Sequence, residues 1–401
     1  MRILFTFVGG NGHFEPLVPI ADAAREAGHT IAFACGPGMV RAVAAAGFDV
    51  LGPDTGHDGQ AERRPLLAVS TEREDRILRE AFAGHMARAR AADGLDLFAA
   101  WRPDLLVCEE MDFGSVVAAE RSGLPYARVL VIAEGSFVRH HLIAEPLNEL
   151  RAAHGLPADP GLDMLGRHLV LAPFPPGFRH PDFPLPPTGQ ALRPRGLDAV
   201  PEEAVPRWIG ELGDAPTVYF TLGTVFNVES GDLFGRVLAG LRDLPVNVVV
   251  TVGEDVDPAE LGPQPGHVRV ERFVPQAALL PHCDVVVSHG GSGSVIGALA
   301  YGLPSVLIPM GADQPQNAAR CAALGVSRVL DAVEATPDHV REAVVEILAD
   351  ASYRLAAERL RDEIAALPGP AHAVALLERL VAAEWPSAAE DRSERGPVRP
   401  T

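Results

Sequence analysis

Residues 285–319 read VVVSHGGSGSVIGALAYGLPSVLIPMGADQPQNAA, and the order of chemical groups in this stretch decides the fold. Val285–Ser288 is a short β-branched run of the kind buried in a parallel sheet, and His289 ends it. Gly290 and Gly291 turn the chain, Ser292, Gly293 and Ser294 open a helical stretch through Tyr301, and a second apolar run follows. Free amides at such a helix start, with the dipole behind them, suit a phosphate. Glycine admits a close approach, and His289 and the serine hydroxyls add donors. An ordinary glycine turn with a serine cap would spell the same letters. Asp313 and Gln314, past the second strand, set a carboxylate beside an amide, a pair suited to the vicinal hydroxyls of a sugar. Upstream, RFVPQ offers Phe273 as a stacking face and Gln276 as an amide, although an aromatic at a strand end is also common core.

Outward from that stretch the same alternation covers most of the chain. RILFTFV, TIAFAC, DLLVCE and YARVLVI are strand-like in the first half, with helices expected at 16–27 and 113–122. TVYFTLG, VNVVVTVG, VRVERFV and PSVLIPM repeat the pattern in the second half. LFTFVGG and YFTLGT echo each other as strands that end in a glycine turn. Two βαβ sheets joined by a linker are therefore expected. The expected divisions are a first domain at 1–190, a Pro-rich linker at 191–205 and a second domain at 206–370. A helix at 371–386 is expected to return to the first domain, ahead of a disordered tail at 387–401. Ligands of open α/β sheets bind beyond the strand ends, so a cleft between the domains is the natural site.

Composition excludes several classes. The 401 residues contain no lysine, which removes Schiff-base, pyridoxal-phosphate and P-loop enzymes. A net charge of −19 disfavours nucleic acid. No run reaches the length of a membrane span, and Met1–Val8 reads as an opening strand. Cys35, Cys108, Cys283 and Cys321 lack metal-ligand spacing and suit a reducing cytoplasm. GGNGHFE invites a dinucleotide reading, but from Gly10 and Gly12 the third glycine position falls on Glu15. The acidic residue expected after the second strand is missing as well.

Residues 272–318, RFVPQAALLPHCDVVVSHGGSGSVIGALAYGLPSVLIPMGADQPQNA, together with GHFEPLVPIADAAREAGH, RPDLLVCEEMDFG and VYFTLGT, resemble glycosyltransferase family 1. The likeness is strongest to the bacterial antibiotic and macrolide glycosyltransferases. It implies an α/β GT-B fold, two Rossmann-like domains with parallel sheets facing across a cleft, and a nucleotide-sugar donor held mainly by the second. Carried over by position, Phe273 would stack on the base, with Val274 and Gln276 beside it. Thr224, His289, Ser292, Gly293 and Ser294 would hold the diphosphate, with Gly12, Gly223 and Gly291 also along the donor. Asp313 and Gln314 would hold the sugar. Ser294 replaces the usual threonine and keeps the hydroxyl. Gly297 stands where UDP-sugar enzymes of the family carry a ribose-binding glutamate. Removing a carboxylate that a deoxyribose would leave unpaired points to a dTDP-sugar, with a UDP-hexose as the alternative.

The same resemblance makes His13, at the end of the first strand, the general base of an inverting transfer; alone, it would read as a solvent-facing helix-start histidine. Its carboxylate partner falls on Glu109 where the family has aspartate, with Glu110 or Asp112 as substitutes. Asp104, His29, His140 and His141 are expected to be structural or without a role. Asp255 and Asp257 read as a solvated loop, and neither a metal nor a cofactor is expected. The acceptor, an apolar small-molecule aglycone, is expected against segments 54–95 and 133–187. Phe82, Met86, Met111, Phe113, Phe137 and Leu142 are candidate wall residues, each equally explicable as core. No nucleic-acid or membrane partner is expected, and a monomer or homodimer both fit. A sugar-nucleotide epimerase, a non-catalytic partner protein and an oxidoreductase are the rival readings.

Overall fold

The computed structural model describes residues 1–52, 64–194, 205–224 and 226–382. The expected tail, most of the expected linker and the start of the first acceptor segment lie outside the described residues. In the first half the strands are Arg2–Thr6 (β1), Thr30–Ala34 (β2), Asp49–Val50 (β3), Leu105–Glu109 (β4), Tyr126–Val129 (β5), Leu169–Ala172 (β6) and Gly189–Ala191 (β7). They form one parallel sheet in the order β3-β2-β1-β4-β5-β6-β7. The second half supplies Thr217–Thr221 (β8), Asn247–Thr251 (β9), Val268–Glu271 (β10), Val285–Ser288 (β11), Ser305–Leu307 (β12) and Ser327–Val329 (β13). These pair in parallel in the order β10-β9-β8-β11-β12-β13.

Helices cover both faces of each sheet, which is why the central strands are apolar throughout. Every residue of β4, β8 and β9 is buried. In each sheet the strand order reverses beside the first strand, so a crevice opens between β1 and β4 and another between β8 and β11. The loops that leave those four strands carry the candidate site.

Two features join the halves. An apolar cluster draws Leu130, Ala133, Val170 and Phe178 from the first domain together with Val295, Ile296, Leu299 and Leu360 from the second. The last helix, Pro370–Val381, packs Ala373, Leu376, Leu377 and Leu380 into the core that also holds Leu17, Val18 and Ile20. Glu378 on that helix meets His29 at 3.0 Å, which accounts for His29 as a structural residue. Asp104 is structural too, accepting the Arg2 amide at 2.7 Å.

The first acceptor segment is helical from Thr71 to Trp101, with Ser70 capping its start. Between Ile77 and Met86 the turns widen to π-helical geometry and Gly84 leaves the helical region altogether (φ −96°, ψ −105°). Such widened turns are common at functional sites, and this one carries Phe82 and Met86. Among the described residues no single helix is long and apolar enough to cross a membrane.

Candidate active site

On the first-domain wall, the chain leaves β1, turns at Gly9 (φ 86°) and enters the short helix Asn11–Phe14. The His13 ring lies against Gly9; a Cβ there would come within 2.7 Å of His13 Cδ2. Only glycine serves both the turn and the seat for the ring. Glu109 ends β4, the strand beside β1, and its carboxylate is wholly buried. Oε1 accepts the Val8 amide at 3.1 Å and Oε2 accepts the Met111 amide at 2.7 Å. His13 Nδ1 stands 3.1 Å from Oε2, a charge contact without ideal hydrogen-bond alignment. Burial pulls the His13 pKa down, but the Glu109 charge, helped by Asp313 and Glu110, outweighs it and holds the imidazole above its ordinary value.

The other two carboxylates are committed elsewhere. Glu110 accepts the Val131 and Ile132 amides, each at 2.9 Å. Asp112 caps the helix Phe113–Ser122 through Ser115 and pairs with Arg90. Phe82 stacks near His13, the two ring centroids 6.2 Å apart.

The second-domain wall repeats the design. After β8 the chain turns at Gly223 (φ 73°), with Thr224 exposed behind it, and after β11 comes His289. Gly223 and Gly291 both press on the His289 ring, since a Cβ on either would come within 2.7 Å or 2.6 Å of it. These two glycines, expected along the donor, are thus the seat of the imidazole. Burial pushes the His289 pKa down to about 4, so the ring is neutral, and its Nδ1 is buried without a partner among the described residues. Gly291 caps the helix Ser292–Ala300, whose first returning bond is Val295 N–H to Gly291 O at 3.0 Å. The amides of Ser292, Gly293 and Ser294 therefore point out of the helix end.

Asp313 follows Ala312, a non-glycine residue in the left-handed region (φ 52°), a strained turn of the sort found at ligand sites. Burial raises the Asp313 pKa, against hydrogen bonds from Ser292 and Asn317 that lower it. Phe273 is 65% exposed. Gln276 opens a short helix and its Oε1 lies 3.3 Å from where a Cβ on Gly297 would be. The amide thus takes part of the room that a glutamate at 297 would enter.

Several expectations need correction. Val274 is core, packed with Leu279 and Val286, and has no side-chain surface for a nucleotide. Phe113, Met111 and Phe137 belong to the first-domain core; Phe113 starts a helix laid against the sheet and is fully covered. Phe82, Met86 and Leu142 are half-buried and keep a free side. Gln314 is buried, and its Oε1 accepts from Met310 and Gly311, which leaves only its amide nitrogen for a sugar. Ser292, expected on the diphosphate, has its hydroxyl bonded within the protein instead: it donates to Asp313 at 2.6 Å.

Other residues at the site escaped the sequence. Phe226 sits between His289 and Gly311, with its ring centroid 6.4 Å from the histidine's. Glu74, from the helix Thr71–Arg76, reaches across to Gly311, where a Cβ would come within 3.2 Å of its Oε1. Nothing in its local sequence marks it. Asn317 and the Ala133 amide also join the site; Asn317 at least lies inside the stretch 272–318 that carries the family resemblance. Among the described residues no three His, Cys, Asp or Glu side chains gather as a metal site would require.

A His–carboxylate pair on one wall and a helix start for an anion on the other, between two Rossmann-type sheets, define a group-transfer enzyme for a nucleotide-linked substrate. The comparisons agree. Residues 235–380 match the family model described as erythromycin biosynthesis protein CIII-like, C-terminal domain. The chain is 31% identical to the 10-deoxymethynolide desosaminyltransferase of Streptomyces venezuelae, over 95% of this chain and 97% of that one. It is 30% identical to the 3-alpha-mycarosylerythronolide B desosaminyl transferase of Saccharopolyspora erythraea, over 95% and 99%. Among solved structures, spinosyn rhamnosyltransferase SpnG complexed with thymidine diphosphate superimposes with a TM-score of 0.78 at 26% identity, covering 94% of this chain and all of that one. The chain belongs to the bacterial natural-product glycosyltransferases, sugar-transferring enzymes of antibiotic biosynthesis with the GT-B fold. The oxidoreductase, epimerase and non-catalytic readings give way to it.

Proposed function

We propose that the enzyme moves a deoxysugar from a dTDP-activated donor to a hydroxyl of an apolar natural-product aglycone, with inversion at the anomeric carbon. The observation that carries this reading is the His13–Glu109 pair, 3.1 Å apart at the β1–β4 crevice and close enough to Asp313 across the cleft to feel its charge. With Nδ1 turned to Glu109, Nε2 takes the acceptor proton as the oxygen attacks the anomeric carbon. The bond from that carbon to the diphosphate breaks on the opposite face. Glu109 stabilises the imidazolium that forms. The leaving diphosphate meets the amides of the helix start and the neutral His289 ring, which acts as a hydrogen-bond donor and adds no charge.

A dTDP donor is supported by the thymidine diphosphate bound to SpnG and by the deoxysugars in the relatives' names. Gly297, which offers no carboxylate to a ribose 2′-hydroxyl, points the same way. Calorimetric titration of the full chain with dTDP and with UDP tests the donor. Tighter dTDP binding is expected, and a preference for UDP moves the donor to a UDP-hexose. His13→Ala should keep dTDP affinity while lowering transfer to a panel of apolar hydroxylated acceptors by about 10²–10⁴-fold. Weakened dTDP binding with normal turnover would remove His13 from the role of base.

A further inference from the structure

We infer that Ser292 is a positioning residue whose hydroxyl couples closure of the cleft to the orientation of Asp313 and does not bind the diphosphate. A serine hydroxyl has one proton and two lone pairs. The proton goes to Asp313 Oδ2 at 2.6 Å. The lone pairs accept the Ala133 amide at 2.9 Å and Asn317 Nδ2 at 3.1 Å. No proton remains for a phosphate oxygen, which can only accept.

The partners lie on both sides of the cleft. Ala133 belongs to the first domain, four residues past the end of β5, and is fully buried in the apolar cluster that joins the halves. Without Ser292 its amide would be orphaned away from water. Asn317 is wholly buried, and the two protons of the same amino group are shared among Ser292 Oγ, Gly290 O at 3.0 Å and Asp313 Oδ2 at 2.8 Å. Oδ2 of Asp313 is thus fixed by two donors. Opening the cleft pulls Ala133 away, frees the Ser292 hydroxyl to rotate and loosens Asp313. In reverse, a sugar held by Asp313 favours the closed arrangement. This inference rests on the reading of Asp313 as the sugar ligand.

The experiment compares dTDP with dTDP-rhamnose on the wild-type chain, Ser292→Ala and Ser292→Thr. Calorimetry supplies affinities, and hydrogen exchange follows the peptide that contains Ala133. In the wild type the sugar is expected to add affinity over dTDP and to slow exchange at Ala133 beyond what dTDP alone does. Ser292→Ala should keep dTDP affinity within about threefold, lose roughly tenfold of the sugar's increment and speed exchange at Ala133. Ser292→Thr, which keeps the hydroxyl, should restore both. A tenfold or greater loss of dTDP affinity in Ser292→Ala, with Ala133 exchange unchanged, would make the serine a phosphate ligand and overturn the coupling. Equal exchange at Ala133 with dTDP and dTDP-rhamnose in the wild type would overturn it without recourse to a variant. Failure of the wild type to bind either compound is a separate result, which removes the dTDP donor itself.

Discussion

At the scale of single residues, the proposed base His13 and its partner Glu109 would set the acid limb of the reaction. A base must be neutral to accept a proton, and the charge of Glu109 keeps the imidazole protonated to a higher pH than an isolated histidine. Activity should therefore rise as pH climbs through a value above 6.5. Glu109→Gln removes the largest charge holding the imidazole up and leaves burial opposed only by Asp313 and Glu110, so the midpoint of the limb should fall by about one unit or more while the plateau rate also drops. A pH–rate profile of the two proteins checks this, and an unmoved midpoint would detach Glu109 from the base. The same interaction stabilises the fold while His13 is protonated, fully so below about 6.5, and fades as pH rises through the raised value. The meeting of His13 with Glu109 was legible through the family resemblance, which sets one just past β1 and the other at the end of the neighbouring β4. The partners of the Ser292 hydroxyl were not legible, because a hydroxyl takes whichever partners the fold sets beside it. A serine at a helix start looks the same facing a phosphate or a neighbouring carboxylate.

At the scale of elements, the central strands were plain in the sequence because a strand buried on both faces has to be apolar throughout, as β4, β8 and β9 are. The short outer strands β3, β7 and β13, of two or three residues each, carry too few side chains to show a pattern. The widened turn around Gly84 was also hidden, since its sequence keeps helix-forming residues on both sides and only the packing of Phe82 against the cleft makes the distortion visible. The closing helix Pro370–Val381 shows its apolar stripe openly, and its partners are on the first domain. Leu377 is fully buried there, so Leu377→Ala should lower stability by about 2–5 kcal/mol. Urea unfolding measures the loss. A change under about 0.5 kcal/mol, the level of an ordinary surface substitution, would mean that the helix is not anchored.

At the scale of the whole molecule, polar joints fasten the two domains around their shared apolar cluster. Arg320 of the second domain donates to Phe178 O at 2.9 Å and to Gly177 O at 2.8 Å in the first. Glu363 accepts the Gly177 amide at 2.8 Å, and Arg64 donates its own amide to Val228 O at 2.8 Å. Arg320→Ala removes two of these bonds at a half-exposed position, so the domains should open more readily without losing their individual folds. Small-angle scattering should show a larger radius of gyration in the free variant, returning toward the wild-type value with dTDP. Identical scattering of free variant and wild type would place the restraint in the apolar cluster alone. By itself the sequence determined the two parallel sheets, the strand ends that carry chemistry and the transferase family, because alternating strands and helices and an ordered signature are local properties of the chain. Only the tertiary structure decided which carboxylate meets His13, which aromatic residues face the cleft and that Ser292 bonds across it. Those outcomes depend on which side chains a sheet buries and which loops two domains bring together, over separations of 96 residues for Glu109 from His13 and 159 for Ser292 from Ala133.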